Sequence, residues 1–330
     1  MEVLTKTIVK KIIIFLAILG LSFFNVNAAK DKPSTAEYLE DNYQKNKRLA
    51  DQGNAYAQLK IHENYLLGVV VESDLEKAIF WLKKSAESGN ATAQKRLGDS
   101  YKDGEPKGYI SEDQLKAVEW YKKSAQQGNE MAQYQLGRMY LHGSTIPKDF
   151  SESFKWLKKS SDQNIRPASK FYIAMLYESG DVTFKKDAKK SSEWLRKSAD
   201  QGYADAQFFL GLNYMLGSGV LENRKKTVYW YKKAVAQGHP GAQYALSMFY
   251  DRGWVVDKDY SEAFRLRTLA SDQGEDEAHG ALAGMYIYGV GTNKDMSKAK
   301  GLIEKAFESN NIDIRDRAAK TWKEFELWKY

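Results

Sequence analysis

A sequence phrase that ends in a small residue, a polar pair and glycine recurs along most of this 330-residue chain. Successive copies lie 36 to 39 residues apart, and asparagine replaces the glycine twice. A period of this length is typical of repeat proteins, in which each unit buries its apolar face against its neighbours. The chain is therefore expected to form a stacked array rather than one globular core. The eight positions are Gly53, Gly89, Gly128, Asn164, Gly202, Gly238, Gly274 and Asn310.

The residues between these positions predict two helices in each repeat. The first carries an apolar residue four positions before a tyrosine, as in Leu97 and Tyr101, and residues four apart share one helix face. The second carries a large residue three positions after a small one, as in Ala117 and Trp120. The glycine or asparagine that follows suits a left-handed helix end, since most other residues adopt a positive φ at a cost. The repeat unit is thus predicted to be a helix–turn–helix pair.

Residues 93–101 read Ala-x-x-x-Leu-Gly-x-x-Tyr, and residues 117–128 read Ala-x-x-Trp-Tyr-x-Lys-x-Ala-x-x-Gly. Together they resemble the Sel1-like repeat. The resemblance covers residues 54–310 and implies an all-α fold, a right-handed α/α superhelical solenoid of about seven repeats related to tetratricopeptide arrays. Single copies depart from the pattern, because Leu266 and Leu302 replace the tryptophan and His62 replaces the glycine after the apolar residue.

A solenoid has two open ends, and the sequence predicts a capping helix at each. Its organisation is expected to be a signal peptide at 1–28, a polar linker at 29–36, an N-terminal capping helix at 37–53, repeats at 54–89, 90–128, 129–164, 165–202, 203–238, 239–274 and 275–310, and a C-terminal capping helix at 311–330.

The first residues have the pattern of an export signal. Lys6, Lys10 and Lys11 precede an uncharged apolar run at 12–24, and Val26-Asn27-Ala28 has the small-residue form of a cleavage site. The run gives about 20 Å of helix, which is short for a bilayer core of about 30 Å. We therefore expect a periplasmic protein with no integral membrane segment after cleavage. Secretion beyond the outer membrane stays an alternative.

The composition leaves little material for catalysis. The chain has no cysteine and four histidines, and it contains no phosphate-binding loop, no Gly-x-Ser-x-Gly and no His-Glu-x-x-His motif. We expect no catalytic residue, no metal and no cofactor, and hence no enzyme. A β-lactamase-like activity, which some cysteine-rich relatives of this repeat suggest, is the alternative that the missing cysteines disfavour.

The formal charge of +7 raises the question of nucleic acid as a partner. In five repeats, however, one basic pair falls near the end of the predicted second helix, as in Lys122-Lys123 and Lys232-Lys233, where the helix dipole favours cations. We interpret them as a solvated outer face and expect no nucleic-acid partner.

The register of tetratricopeptide arrays predicts which first-helix residues line the concave face. In the middle repeats these are largely aromatic, aliphatic and methionine side chains, and exposed apolar surface of this kind marks a partner site. The alternative is that neighbouring first helices pack against each other through the same side chains. The predicted partner-binding residues are Tyr134, Arg138, Leu141, Phe171, Met175, Phe208, Leu212, Met215, Tyr244 and Met248.

The resemblance implies a function in protein binding. Exported Sel1-like proteins include immunity proteins that neutralise toxic effectors such as lipases, and the hypothesis is that this chain, a monomer when free, binds and inhibits an enzyme or toxic effector. An envelope or cell-wall regulatory scaffold and a secreted host-interacting factor are the alternatives.

Overall fold

The computed structural model describes residues 34–182 and 184–330. The predicted signal peptide and most of the predicted linker lie outside the described residues. The chain divides into two compact units, Met1–Ser88 and Gly89–Tyr330, called unit 1 and unit 2 below. The described residues contain sixteen α-helices, one short 3₁₀ helix and no strand. The expectation of an all-α fold is confirmed.

Unit 1 contains three described helices, α1 (Thr35–Asp51), α2 (Ala55–Leu67) and α3 (Leu75–Glu87). Helix α1 begins two residues before the predicted position 37, because Ser34 and Glu37 form a capping box at its start. Tyr43 and Ile61 lie in a small core, and Trp81 packs against it.

Unit 2 contains the remaining helices, and within this unit each helix packs against its neighbours in the sequence. Helix pairs stacked in this order form a solenoid. The helices are α4 (Ala91–Asp103), α5 (Gln114–Gln126), α6 (Glu130–His142), α7 (Phe150–Asp162), α8 (Pro167–Ser179), α9 (Ala188–Ala199), α10 (Ala204–Leu216), α11 (Arg224–Val235), α12 (Pro240–Arg252), α13 (Tyr260–Asp272), α14 (Asp276–Tyr288), α15 (Met296–Phe307) and α16 (Ile312–Glu324), followed by the 3₁₀ helix Leu327–Lys329.

The turns after the second helices mostly have the predicted left-handed backbone. Each glycine of the repeated phrase has a positive φ, and so does Asn164, with φ of 56°. Asn310 is the exception, and the prediction of a left-handed end there is wrong. At that turn the side chain of Ser309 donates to Asp276 and accepts from the backbone of Asn311, so side-chain bonds shape it instead.

Glycine also lets the two helices of a repeat approach closely. A Cβ added to Gly137 of α6 would lie 2.6 Å from Leu157 of α7, and one added to Gly211 of α10 would lie 2.6 Å from Tyr231 of α11. The absence of a side chain is therefore what brings these helix pairs into contact.

A buried glutamine near the start of most first helices links three segments. The Nε2 of Gln133 donates to the carbonyl of Ala125 in the preceding repeat, while its Oε1 accepts from Gln163 at the end of its own repeat. Gln207 repeats this arrangement with Ala199 and Gln237. Gln133 and Gln207 thus form hydrogen bonds through both ends of the buried amide, whereas Oε1 of Gln58 in the first repeat has no partner.

Lys170 replaces this glutamine in the fourth repeat. Its Nζ lies 2.6 Å from Asn164 Oδ1 and 2.6 Å from Gln201 Oε1, and burial lowers its pKa. Two amide oxygens thus take the place of a carboxylate as partners of a buried ammonium group.

Candidate functional site

The ten residues predicted to bind a partner lie on the first helices α6, α8, α10 and α12 of unit 2, called the first-helix face below. Eight of them are half-buried. Tyr134 and Phe171 are only 9% and 7% exposed, so these two rings belong to the core. The alternative, that first-helix side chains pack between neighbouring repeats, therefore accounts for part of the pattern.

Phe171 lies in the middle of an aromatic cluster that joins α8 to α10. Its ring centroid is 5.4 Å from that of Tyr172, 5.3 Å from Tyr203 and 5.7 Å from Phe209. Tyr134 of α6 extends the cluster through Tyr172, at 5.8 Å. Tyr172, Tyr203 and Phe209 were not among the predicted residues.

A sequence signal for one of these missed residues exists at the start of the first helices. Asn129 occupies the N-cap position of α6, where its side chain accepts from the backbone of Ala132. Tyr203 holds the same position before α10 and forms no side-chain cap. An aromatic residue at a capping position indicates a side chain used for packing rather than for helix capping.

Phe208 forms a second stacked contact on α10. Its ring lies 4.7 Å from His239 and 5.7 Å from Tyr231, both nearly parallel. His239 Nε2 lies 3.4 Å from Asp205 Oδ1. Hydrogen bonds from His239, and then from Tyr203, lower the pKa of Asp205 despite its partial burial, which fixes a negative charge beside the aromatic rings.

The predicted methionine and leucine side chains lie between core and solvent. Met215 and Met248 pack against the core around Phe249, and Met175 packs against the core around Phe171. Leu141 packs against the core below α6. Each is half-buried, and together with Leu212 they form a partly exposed apolar surface.

Charged pairs flank this apolar surface. Asp99 of α4 pairs with Lys95 at 2.6 Å and accepts a hydrogen bond from Tyr121 at 2.8 Å. Asp251 of α12 pairs with the buried Arg267 at 2.8 Å. Because each of these carboxylates is paired with a cation of the same chain, the pairs mark the edges of the apolar surface and add little net charge to it.

A cavity of about 390 Å³ opens where the last repeat meets α16. Its floor contains Ile303 and Ile314, and its rim carries Tyr244, Glu277 and Arg317. Gly280 of α14 lies in the wall, and a Cβ there would meet nothing within 4 Å. Tyr244, one of the ten predicted residues, thus lines this cavity.

The second helices present a different surface in which lysine covers tryptophan. Lys123 Nζ lies 4.1 Å from the centre of the Trp120 ring, and Lys197 and Trp194 repeat the contact at 4.3 Å. The recurring Trp-x-x-Lys pattern therefore has a structural explanation, because the cation lies over the ring face.

The described residues hold no group of three or more histidine, cysteine or acidic side chains placed to bind a metal. None of the helices described combines the length and apolar character that a membrane span requires. The first-helix face combines aromatic, aliphatic and methionine side chains with isolated charges.

Comparison with known structures places this geometry in a family. One similar structure is that of c5321, a protective antigen present in uropathogenic Escherichia coli strains that displays an SLR fold. It is 30% identical to this chain and has a TM-score of 0.76. The match covers 86% of this chain but only 60% of the length of c5321. A Sel1 repeat protein from Oxalobacter formigenes is 28% identical with a TM-score of 0.59, covering 70% of this chain and 96% of its own.

An immunity protein from Pseudomonas aeruginosa, Pa5087, is 23% identical with a TM-score of 0.39, covering 60% of this chain and 74% of its own. No curated protein matches the chain significantly. The family model of the Sel1 repeat matches residues 55–90, 91–129, 130–165, 167–203, 204–239, 240–275 and 276–311. Seven matches that cover most of the sequence show that the chain belongs to the Sel1 repeat family.

Proposed function

We propose that this protein is exported to the periplasm and binds a protein partner, an enzyme or toxic effector, through the first-helix face of unit 2. The observation that carries the proposal is that Met175, Leu212, Met215 and Met248 lie half-buried, and so partly exposed, along consecutive first helices. Methionine and leucine in such a position adapt to a partner surface, and Sel1 repeats mediate protein–protein interaction.

Inhibition is the mechanism proposed for this binding. A rigid helical face that covers the entrance of an active site blocks it without any chemistry of its own. A stable complex of this kind buries about 1,600 Å² in total, and the row of first helices offers an extended surface for it.

The test uses the chain from Ala29 onward as bait in a periplasmic extract. We expect one enzyme to co-purify in equal amount, and its activity to fall when the purified chain is added. Met175→Lys combined with Leu212→Lys should weaken the complex, because two charges then face the partner's apolar surface. Phe171 is unsuitable for this test, since truncation of a buried ring also lowers stability.

The matched control places the same charges on the second helices, as Tyr229→Lys combined with Leu269→Lys. These side chains are 51% and 38% exposed. Equal loss of binding in both double variants, with folding retained, contradicts the proposed surface. A captured enzyme that keeps full activity contradicts inhibition.

A secreted factor that acts outside the bacterium is the second candidate. It is favoured by the 30% identity to a protein described as a protective antigen of uropathogenic Escherichia coli strains. Fractionation separates the two candidates, because the secreted factor accumulates in the culture supernatant and the inhibitor in the periplasm.

A further inference from the structure

Arg138 is held between two tyrosine rings on the first-helix face. Its guanidinium carbon lies 5.6 Å from the centre of the Tyr134 ring and 5.2 Å from that of Tyr172. The two rings come from neighbouring first helices, α6 and α8, and their centroids are 5.8 Å apart. This arrangement restrains the plane and direction of the guanidinium group.

The guanidinium group has no acceptor within the described residues. Its Nε is buried and lacks a hydrogen-bond partner, and the side chain forms no ion pair with any described residue. Two other arginines of unit 2 differ. Arg166 pairs with Glu130 at 3.3 Å, and Arg267 pairs with Asp251 at 2.8 Å. A buried donor without a partner lowers stability, so Arg138 is held at a cost to the fold.

The groups around Arg138 do not supply an anion. The charges of Arg138 and Lys148, after burial, lower the pKa of His142, which shows that these three groups share a positive environment. Arg166 lies over the Tyr134 ring, at 5.0 Å. Glu130, the carboxylate beside Arg166, already accepts from Ser160 and pairs with Arg166.

We propose that Arg138, between Tyr134 and Tyr172, binds a carboxylate side chain of the protein partner. The inference rests on the proposed function and adds the chemistry of the residue that the first-helix face recognises. Because Nε is covered, the carboxylate meets the two terminal nitrogens, whose geometry suits two parallel hydrogen bonds. The partner segment is therefore acidic, and apolar side chains beside its carboxylate contact Leu141 and Met175.

The site can be tested without the partner by NMR of the mature chain labelled with ¹⁵N-arginine. We expect the Nε–H signal of Arg138 to shift in a saturable way with sodium acetate, and not with acetamide at the same ionic strength. Arg252 is the matched control, since its guanidinium carbon lies 4.5 Å from the Trp254 ring but the side chain is exposed. Absence of a saturable shift at Arg138, or an equal shift at Arg252, overturns the inference. A stronger response to methyl phosphate overturns the assignment to a carboxylate.

The partner test uses Arg138→Met, which keeps an unbranched apolar stem and removes the guanidinium group. We expect partner affinity to fall about tenfold or more, because a charge-assisted pair is lost, while Arg252→Met leaves it unchanged. The thermal midpoint should change little, since removal of a buried, unpartnered donor offsets the loss of the two ring contacts. A marked fall in the midpoint would indicate a structural role instead.

The two proposals fail in different ways. If the wild-type chain inhibits its partner and Arg138→Met does so equally well, the carboxylate inference is wrong and the proposed function stands. If no partner is inhibited but acetate binds at Arg138, the proposed function is wrong and the anion site stands.

Discussion

Glycine has opposite consequences in the middle and at the end of unit 2. Gly137 and Gly211 lie where the two helices of a repeat touch, and an added Cβ would collide with the facing side chain. Gly280 and Gly284 lie on the first helix of the last repeat, where an added Cβ would meet nothing within 4 Å. In the middle glycine permits a close helix contact, whereas at the end it leaves open space beside the cavity. The same residue type in the same type of helix therefore does not indicate the same role.

The largest effect expected from this comparison is at Gly137. Gly137→Ala should lower the free energy of unfolding by about 1–3 kcal/mol, because its Cβ would lie 2.6 Å from Leu157 Cγ and 3.1 Å from the backbone nitrogen of Leu157. Urea unfolding followed by circular dichroism measures the change. Unchanged stability would contradict this prediction, because it would mean that α6 and α7 can move apart without loss of stability.

A smaller effect is expected from giving the last repeat the cap of the middle repeats. Asn129 caps α6 through a hydrogen bond from Ala132, whereas Glu275 before α14 forms no side-chain cap. Glu275→Asn should therefore raise the free energy of unfolding by about 1 kcal/mol. The reverse change, Asn129→Glu, should lower it, and a result of the same sign in both variants would contradict the capping explanation.

Glu275 also gives the last repeat a pH dependence of its own. Burial, with the hydrogen bond and charge of Glu277, raises the pKa of Glu275 from 4.5 to about 7. The folded state then holds this proton more tightly than the unfolded state, so the contribution to stability is full below about pH 4.5 and is lost as the pH rises towards 7. In the Glu275→Asn variant the thermal midpoint should therefore depend less on pH between about 4.5 and 7. An unchanged pH dependence would mean that other groups cause it.

The smallest effect is expected at Gly284. Gly284→Ala should raise the free energy of unfolding by about 0.5–1 kcal/mol, because alanine restricts the unfolded chain and the added methyl group meets no neighbour. Differential scanning calorimetry against the wild-type chain detects a change of this size. A loss of stability would contradict the explanation, because it would mean that the added methyl group meets neighbouring atoms beside α14.

The repeat period and the helix pairs could be predicted from the sequence because each rests on local chemistry. A tyrosine four residues after a leucine, or a glycine after a second helix, has the same meaning in every copy. The end at Asn310 could not be predicted in this way, since the side chains of Ser309 and Asp276 shape that turn. These residues are 33 positions apart, and no local pattern joins them.

The candidate site was harder to predict, because burial depends on neighbouring repeats. The register selects Arg138 and Met175, which are half-buried, and equally Tyr134 and Phe171, which are buried. Phe171 is covered by Tyr203 and Phe209 from the next first helix, at positions where other repeats carry smaller or polar residues. Partner-binding roles for all ten residues stay predictions.

The glutamine link bears on how the number of repeats in such a chain can change during evolution. Gln133 and Gln163, which form a hydrogen bond with each other, belong to the same repeat. The hydrogen bond from Gln133 to the preceding repeat is accepted by a backbone carbonyl, which any residue supplies. After a repeat is duplicated or deleted, the glutamine can therefore form the same hydrogen bond at the new junction without a compensating substitution. The fourth repeat is different, because Lys170 depends on the side chain of Asn164 in its neighbour. Recombination at that junction would separate two residues that must be inherited together.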